Sequence, residues 1–337
     1  MFQGVLPFIK FMKKFTCLIL TLIYCIATLF IGCAAPNAVA VYAPDGAPAL
    51  ALSTVIKKDF ENTEIHIVSA DKIGALVSGK DKKADVCILP INMASKLIGS
   101  GKDYKMLGSI THGNFYFLSK NEMTIDKENI SLLIGKTIGV MQLANVPGLT
   151  LQSVLTEKGV AYTIIQDTSE KQRDKVNLMA INKIETARTD IDVFLIPSPQ
   201  ADAKAQTTDL RFVGSLGELY SDDGFPQAII AVKTQLLEEN LSFVNAFVKE
   251  LENVESFLKE ENKGEICALL HSKMESGLTP VFNENNLTSE SIARSKIKFI
   301  DCSEAKASVK TFIEKLKAVN PDSVETFSEN FYYLGEK

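Results

Sequence analysis

Three histidines, His66, His112 and His271, are scattered along the chain, and none lies near a cysteine and an acid in a spacing that suggests a nucleophile with its base. The cysteines are equally dispersed. Cys17 and Cys25 fall in an apolar N-terminal run, Cys33 follows it, and Cys87, Cys267 and Cys302 have no close spacing among them. Neither a disulfide framework nor a metal site is expected, and no cofactor is called for; Cys87, inside an apolar strand pattern, is expected as a small buried hydrophobe. The side chains whose positions do suggest chemistry are neutral. Asn92, Gln142 and Asn145 stand where strand-like runs give way to helix starts, and a polar group there either caps the helix or faces a ligand.

The elements that must position them follow from patterning. Residues 135–155, GKTIGVMQLANVPGLTLQSVL, pass from a β-branched alternating run through small residues, an Asn and a Pro-Gly to leucines at helical spacing. A strand, a loop and a helix are expected, with the helix beginning near Leu149. Such a loop leaves the first helical N–H groups unpaired at the strand's carboxyl end, where open α/β sheets bind small ligands. A small molecule is therefore expected at Gln142, Leu143, Ala144, Asn145 and Val146. The same grammar recurs at 40–52, AVYAPDGAPALAL, where Pro48 suits a first helical turn. It recurs again at 85–94, DVCILPINMA, and 192–201, DVFLIPSPQA, which align without a gap. The order, loop motif then Pro motif and once more loop motif then Pro motif, implies two similar lobes.

Residues 1–35 hold three lysines and no acid around an apolar core from Phe15 to Ile31, the make-up of an export signal. Met12, before Lys13 and Lys14, is a second candidate start. Leu29-Phe30-Ile31-Gly32-Cys33 is similar to a bacterial lipobox, with Phe30 where Leu is usual, so Cys33 is expected to carry lipid and residues 33–37 to form a short tether; an uncleaved anchor is the alternative. The remaining 305 residues suffice for two lobes with sizeable cores. They carry 33 Lys and Arg against 41 Asp and Glu, a net charge of −8, which argues against a nucleic-acid partner, since phosphate binding needs a basic stripe.

Along that length the expected order is a strand at 39–43, a helix to about 59, a strand at 64–68, a helix at 72–79 and a strand at 85–89, which together imply a parallel sheet flanked by helices. Two β-rich runs within 104–119 carry the chain across to the second lobe. There, strands at 137–141, 161–165 and 192–196 alternate with helices at 149–158 and about 169–183. An edge strand at 210–215, a loop at 217–226 and a strand at 227–233 then return the chain. Two amphipathic helices follow, one with Val244, Phe247, Leu251 and Leu258 and one with Val309, Phe312, Ile313 and Leu316 on their apolar stripes.

With PDGAPALAL at 44–52, ADVCILPINMASKL at 84–97, GKTIGVMQLANVPGLT at 135–150 and the closing Asn330-Phe331-Tyr332-Tyr333, the chain resembles the solute-binding proteins of ABC importers, in the branch for nitrate, sulfonates, taurine and thiamine-pyrimidine precursors. The resemblance runs from about residue 38 onward. It implies the two-lobed type II periplasmic-binding-protein fold, α/β, each lobe a mainly parallel sheet flanked by helices, with residues 38–114 and 228–337 in lobe one, 115–227 in lobe two, and hinges near 113–116 and 224–228. It also implies ligand contacts at four loops: Asp45, Gly46, Ala47 and Pro48; Pro90, Asn92 and Met93; the 142–146 loop; and Pro197 with Ser198. His112 and Tyr220 are hinge-side candidates, although His112 equally suits a solvated hinge position and Arg294 a plain surface charge. Gly46, Pro48, Pro147 and Gly148 would serve turn geometry without any ligand. The implied protein is a monomer, lipid-anchored on the outer face of the cytoplasmic membrane of a Gram-positive bacterium, capturing a small polar or anionic organic solute for permease subunits with a cytoplasmic ATPase. The chain departs from its relatives in having no Trp and no Arg among these loop residues, and Asp45 would repel an anion unless its carboxylate turns inward. An enzyme on the same fold, of pyrimidine-precursor or chorismate type, and a sensor lipoprotein are the alternatives.

Overall fold

In the computed structural model, residues 38–182, 184 and 190–335 are described; Cys33 and the apolar run before it lie outside them. Strand β1 (Val39–Pro44) is followed by the short helices α1 (Ala47–Leu50) and α2 (Ser53–Lys58), then β2 (Thr63–Val68), α3 (Ile73–Ser78), β3 (Val86–Pro90) and α4 (Ile91–Leu97). The first three strands pair in parallel with β1 in the middle. Val86, Cys87, Ile88 and Leu89 are all buried, as expected of a parallel strand covered on both faces. Cys87 is the buried hydrophobe expected, and burial pushes its thiol pKa far up.

Strand β4 (Tyr104–Thr111) closes the outgoing half of the first sheet, and the chain crosses at residues 112–114 into β5 (Phe115–Ser119) of the second. There follow β6 (Thr137–Met141), α5 (Val146–Glu157), β7 (Tyr162–Ile165), β8 (Val176–Ile181), β9 (Val193–Pro197), α6 (Gln200–Thr207), β10 (Arg211–Ser215) and α7 (Leu216–Tyr220). The second crossing, 221–227, leads to β11 (Ala228–Lys233). Helices α8 (Thr234–Glu239), α9 (Leu241–Glu252), α10 (Val254–Phe257), α11 (Lys263–Ser272) and α12 (Ser289–Arg294) precede β12 (Ile297–Asp301) and the long α13 (Cys302–Val319). The first sheet has the order β12-β4-β11-β3-β1-β2, and the second β10-β5-β9-β6-β8-β7. Each is a mixed six-stranded sheet in which β3–β1–β2 or β9–β6–β8–β7 is parallel and the rest antiparallel.

The duplicated Asp-Val motif has one job in both halves. Asp85 accepts the Ala40 backbone N–H at 2.9 Å and pairs with Lys233 at 2.7 Å, while Asp192 accepts the Thr137 N–H at 2.7 Å and pairs with Lys171 at 3.0 Å. In each half the carboxylate joins the N-terminal end of one parallel strand to the next, so the lobes repeat a structural device as well as a sequence.

Four expectations need correction. The helix expected at about 169–183 is a single 3₁₀ turn, Thr168–Glu170, followed by β8, which takes between β6 and β7 the place that β2 has beside β1. The 217–226 loop begins as α7. A strand not expected at all, β12, forms the edge beside β4. Helix α5 starts at Val146, three residues earlier than expected, with Pro147 in its first turn. In α13, Val309, Phe312, Ile313 and Leu316 are buried as the stripe implied. Their partners differ from an ordinary single-lobe helix: α13 packs on α5 of the second lobe as well as on β4 of the first, and Lys315 pairs with Glu157 at 2.9 Å.

Candidate functional site

Loops that are distant in sequence meet where the two sheets adjoin. Asn92, in the first turn of α4 directly after β3, donates through Nδ2 to Asn145 Oδ1 at 3.2 Å, so the end of a first-lobe strand touches the loop after β6 in the second. Asn145 occupies the N-cap of α5 in extended backbone, yet its side chain caps nothing in its own helix. The N–H groups of Val146 and Gly148 in the first turn therefore lack intrahelical acceptors, while Leu149 N–H bonds the Asn145 carbonyl at 3.0 Å. Beneath them the seam is apolar: Leu89 and Ile91 of the first lobe and Leu143 and Val146 of the second belong to one buried cluster, with Met93 packed against it. Gly148 has a separate reason to be glycine, because a Cβ there would stand 1.9 Å from the Leu143 carbonyl oxygen.

The crossings complete the site. Asn114 donates its backbone N–H to Gln227 Oε1 at 3.1 Å and its Nδ2 to the Ser198 carbonyl at 2.9 Å, while Ser198 N–H returns a bond to the Asn114 carbonyl at 2.9 Å. Gln227 N–H bonds the Thr111 carbonyl, and the Gln227 carbonyl accepts from Ile91. Both crossings and the loops after β3 and β9 thus form one hydrogen-bonded knot. Seven buried side-chain polar atoms among the described residues lack a partner, and four of them, Asn92 Oδ1, Thr111 Oγ1, His112 Nδ1 and Asn114 Oδ1, sit in this knot or beside it. Buried polar atoms are ordinarily paired, so these four make the knot the candidate site.

The remaining candidates distribute as follows. Pro90 and Pro197 end β3 and β9, opposite Ala228 and Phe115 respectively. Gln142, with φ 59, and Ala144 are exposed beside Asn145. Asp45 is turned inward: Oδ1 accepts from Gly46 N–H at 2.7 Å and Oδ2 from Val281 N–H at 2.9 Å, and burial raises its pKa against those two bonds. Gly46 (φ 102), Ala47 and Pro48 form the turn into α1. The contacts of the Asp45 carboxylate stay within the first lobe. His112 and Tyr220 line a different space, a cavity of about 760 Å³ on the β12 flank of the crossings, together with Asp223, Phe225, Lys296 and Thr311. His112 is not a solvated residue: its Nε2 lies 3.0 Å from Ser109 Oγ, and burial pulls its pKa down to about 4.

The sequence pattern does not point to Thr111, Asn114 or Gln227. Their signal was available only in part: Asn114 follows Gly113, whose φ of 73 lets the chain turn, but nothing local shows which neighbours the crossing will meet. Arg294 is likewise more than a surface charge, since it pairs at 2.7 Å with Asp202, whose side chain is 1% exposed.

No protein-family model and no curated protein matches the chain. Solved structures do. An ABC transporter structure from Parabacteroides distasonis superposes with a TM-score of 0.66 at 18% identity, covering 89% of this chain and 100% of that one. The periplasmic aliphatic sulphonate binding protein SsuA from Escherichia coli gives 0.60 at 13% identity, covering 90% and 96%. The alkanesulfonate-binding protein SsuA from Xanthomonas axonopodis pv. citri, bound to MOPS, gives 0.57 at 15%, covering 88% and 98%. The chain is similar to all three over nearly its whole described length and shares their fold.

Proposed function

We propose that this chain is an extracytoplasmic solute-binding protein of an ABC importer, which captures a small polar or anionic organic solute between its lobes and hands it to a permease. The observation that carries this reading is the knot of loops at the lobe junction, where the uncapped start of α5 faces the first lobe and Asn92 Oδ1, Thr111 Oγ1 and Asn114 Oδ1 are buried without partners. Its fold, shared with transporter and sulfonate-binding structures, supports the same class. Lobe one comprises 38–114 with 228–337 and lobe two 115–227, and Cys33 carries the lipid anchor.

The chemistry narrows the solute. Two amide oxygens and a hydroxyl ask for N–H or O–H donors, and helical N–H groups ask for an acceptor. With no Lys or Arg among the candidate loop residues and Asp45 occupied by Gly46 and Val281, a solute that carries both donors and acceptors, such as a heteroaromatic amide or a zwitterion, suits the site better than a bare oxyanion. Binding rather than conversion is proposed because the knot is chiefly amides and hydroxyls, and the hydroxyl–imidazole pair beside it, Ser109 with His112 at 3.0 Å, has its serine buried at 1% exposure, out of a solute's reach.

A thermal-shift screen against nitrate, sulfonates, bicarbonate, pyrimidines and amino acids tests both points. One class should stabilise the fold, by about 2.7 kcal/mol at one hundred times its dissociation constant, and mass spectrometry should recover it unchanged. Chemical conversion of the bound solute would replace the receptor with an enzyme, and a flat response to every class would remove the solute-binding reading.

A further inference from the structure

Beside the knot, a polar cluster surrounds one buried carboxylate. Asp202 of α6 accepts Arg294 Nε at 2.7 Å through one oxygen and the Ser198 hydroxyl through the other. Tyr116 OH donates to the Arg294 carbonyl at 3.1 Å, the guanidinium lies 4.3 Å from the centre of the Phe212 ring, and the Ser198 hydroxyl is 3.4 Å from the Ser291 carbonyl. Tyr116 and Phe212 belong to the second sheet, Ser198 to the turn after β9 and Asp202 to the helix that follows it. Arg294 and Ser291 belong to α12, whose Ile292 packs on the first lobe's core and which leads into β12 of the first sheet. A segment of one lobe is therefore fastened to the other beside the first crossing, where the Lys296 carbonyl also accepts the His112 N–H at 3.0 Å.

We propose that Asp202, Arg294 and Ser198 form a charged tie that favours the closed arrangement of the lobes, and that they act as positioning residues for the solute site. Ser198 is the link: its hydroxyl serves the tie while its backbone N–H and C=O hold Asn114. Drawing α12 away from the second lobe leaves Asp202 and Arg294 to be rehydrated singly, so the tie is made only when the lobes are together. Apparent solute affinity scales with the fraction of chains in the competent state, and the tie raises that fraction. This rests on the receptor reading only in that closure serves capture.

The test needs no solute. Asn92→Cys combined with Asn145→Cys places two thiols across the lobe junction, and their cross-linking rate with a short bis-methanethiosulfonate reports how often the lobes are closed. Adding Arg294→Gln, or Asp202→Asn, should slow cross-linking at least fivefold, and the two together should slow it no further than either alone. An unchanged rate in both backgrounds overturns the tie, even if the melting temperature falls, because a local structural role of α12 lowers stability without changing lobe encounters. Should Arg294→Gln fail to fold by circular dichroism, Arg294→Lys is read in its place: an intermediate rate supports the tie and a wild-type rate overturns it. Slowed cross-linking alongside a failed solute screen would keep the tie and discard the receptor.

Discussion

Asn92 and Asn145 were singled out because polar side chains at strand ends must cap or bind, and their 3.2 Å bond across the lobes shows that Asn145 does not cap. Loss of Asn145 in Asn145→Ala, or of its exposed neighbour in Gln142→Ala, should weaken binding of an identified solute by about 0.5 to 1.5 kcal/mol, rising toward about 3 if a buried solute group is stranded. Calorimetric titration measures this, and wild-type affinity in both variants would make the 142–146 loop scaffold. Gly148→Ala separates two opposed effects. Helix propensity favours Ala by up to about 1 kcal/mol, but the new Cβ meets a backbone carbonyl at 1.9 Å that cannot swing aside as a side chain could. The clash should win, with a net loss of about 1 to 3 kcal/mol in urea unfolding. His112 supplies a pH dependence. Its folded pKa, lowered by burial to about 4, lies below the ordinary 6.5, so the unfolded chain binds a proton that the folded chain refuses. Stability is whole above pH 6.5 and declines as pH falls from about 6.5 to 4. In His112→Asn that decline should flatten in denaturant midpoints taken across the window; an unaltered profile would mean that carboxylates govern it.

At the scale of elements, legibility depended on whether a signal was local. The paired Asp-Val motifs were readable because each Asp does a job beside its own strand, holding the N-terminal end of the neighbouring one. Helix α5 was readable from its leucines, though its start was placed late because Val146 and Pro147 looked like loop. β8 was not readable. Its residues Val176, Asn177, Leu178 and Met179 are buried in succession between two parallel neighbours, and a strand covered on both faces has no alternation to set against helical spacing. β12 is a short edge strand with an irregular register against β4, which leaves little pattern. The Asp202–Arg294 pair spans ninety-two positions, and no spacing rule reaches that far. Helix α13 tests how elements share the load. Phe312 is buried among Phe225 and Tyr220, with ring centroids 5.0 and 5.5 Å away, so Phe312→Ala removes contacts by which a first-lobe helix holds the second lobe. A loss of about 3 to 5 kcal/mol is expected, and urea unfolding followed by two probes, one in each lobe, should show both transitions moving together. A shift confined to one lobe would show that α13 stabilises that lobe alone.

For the whole molecule, the question is motion. The loops after β3 and β6 belong to different sheets, and a solute can touch Asn92 and the start of α5 together only when the lobes are close. A solute then stabilises closure because the closed state alone offers both sets of partners, a population shift set by differential affinity. The crossings at 112–114 and 221–227 are where rotation should be absorbed, with Gly113 and Gly224 at φ 73 and 74. Each is tightly hemmed, Gly113 by the Phe225 ring and Gly224 by the His112 carbonyl, and α13 lies over both lobes. These restraints favour a small pivot over a wide swing. Small-angle scattering on the chain from residue 38, a body whose compact radius of gyration is about 19 Å, should show a modest decrease on saturation with the identified solute. An unchanged radius with the free form already at the compact value would count against hinge closure, and the lobes would then be a rigid frame around a site that fills without motion.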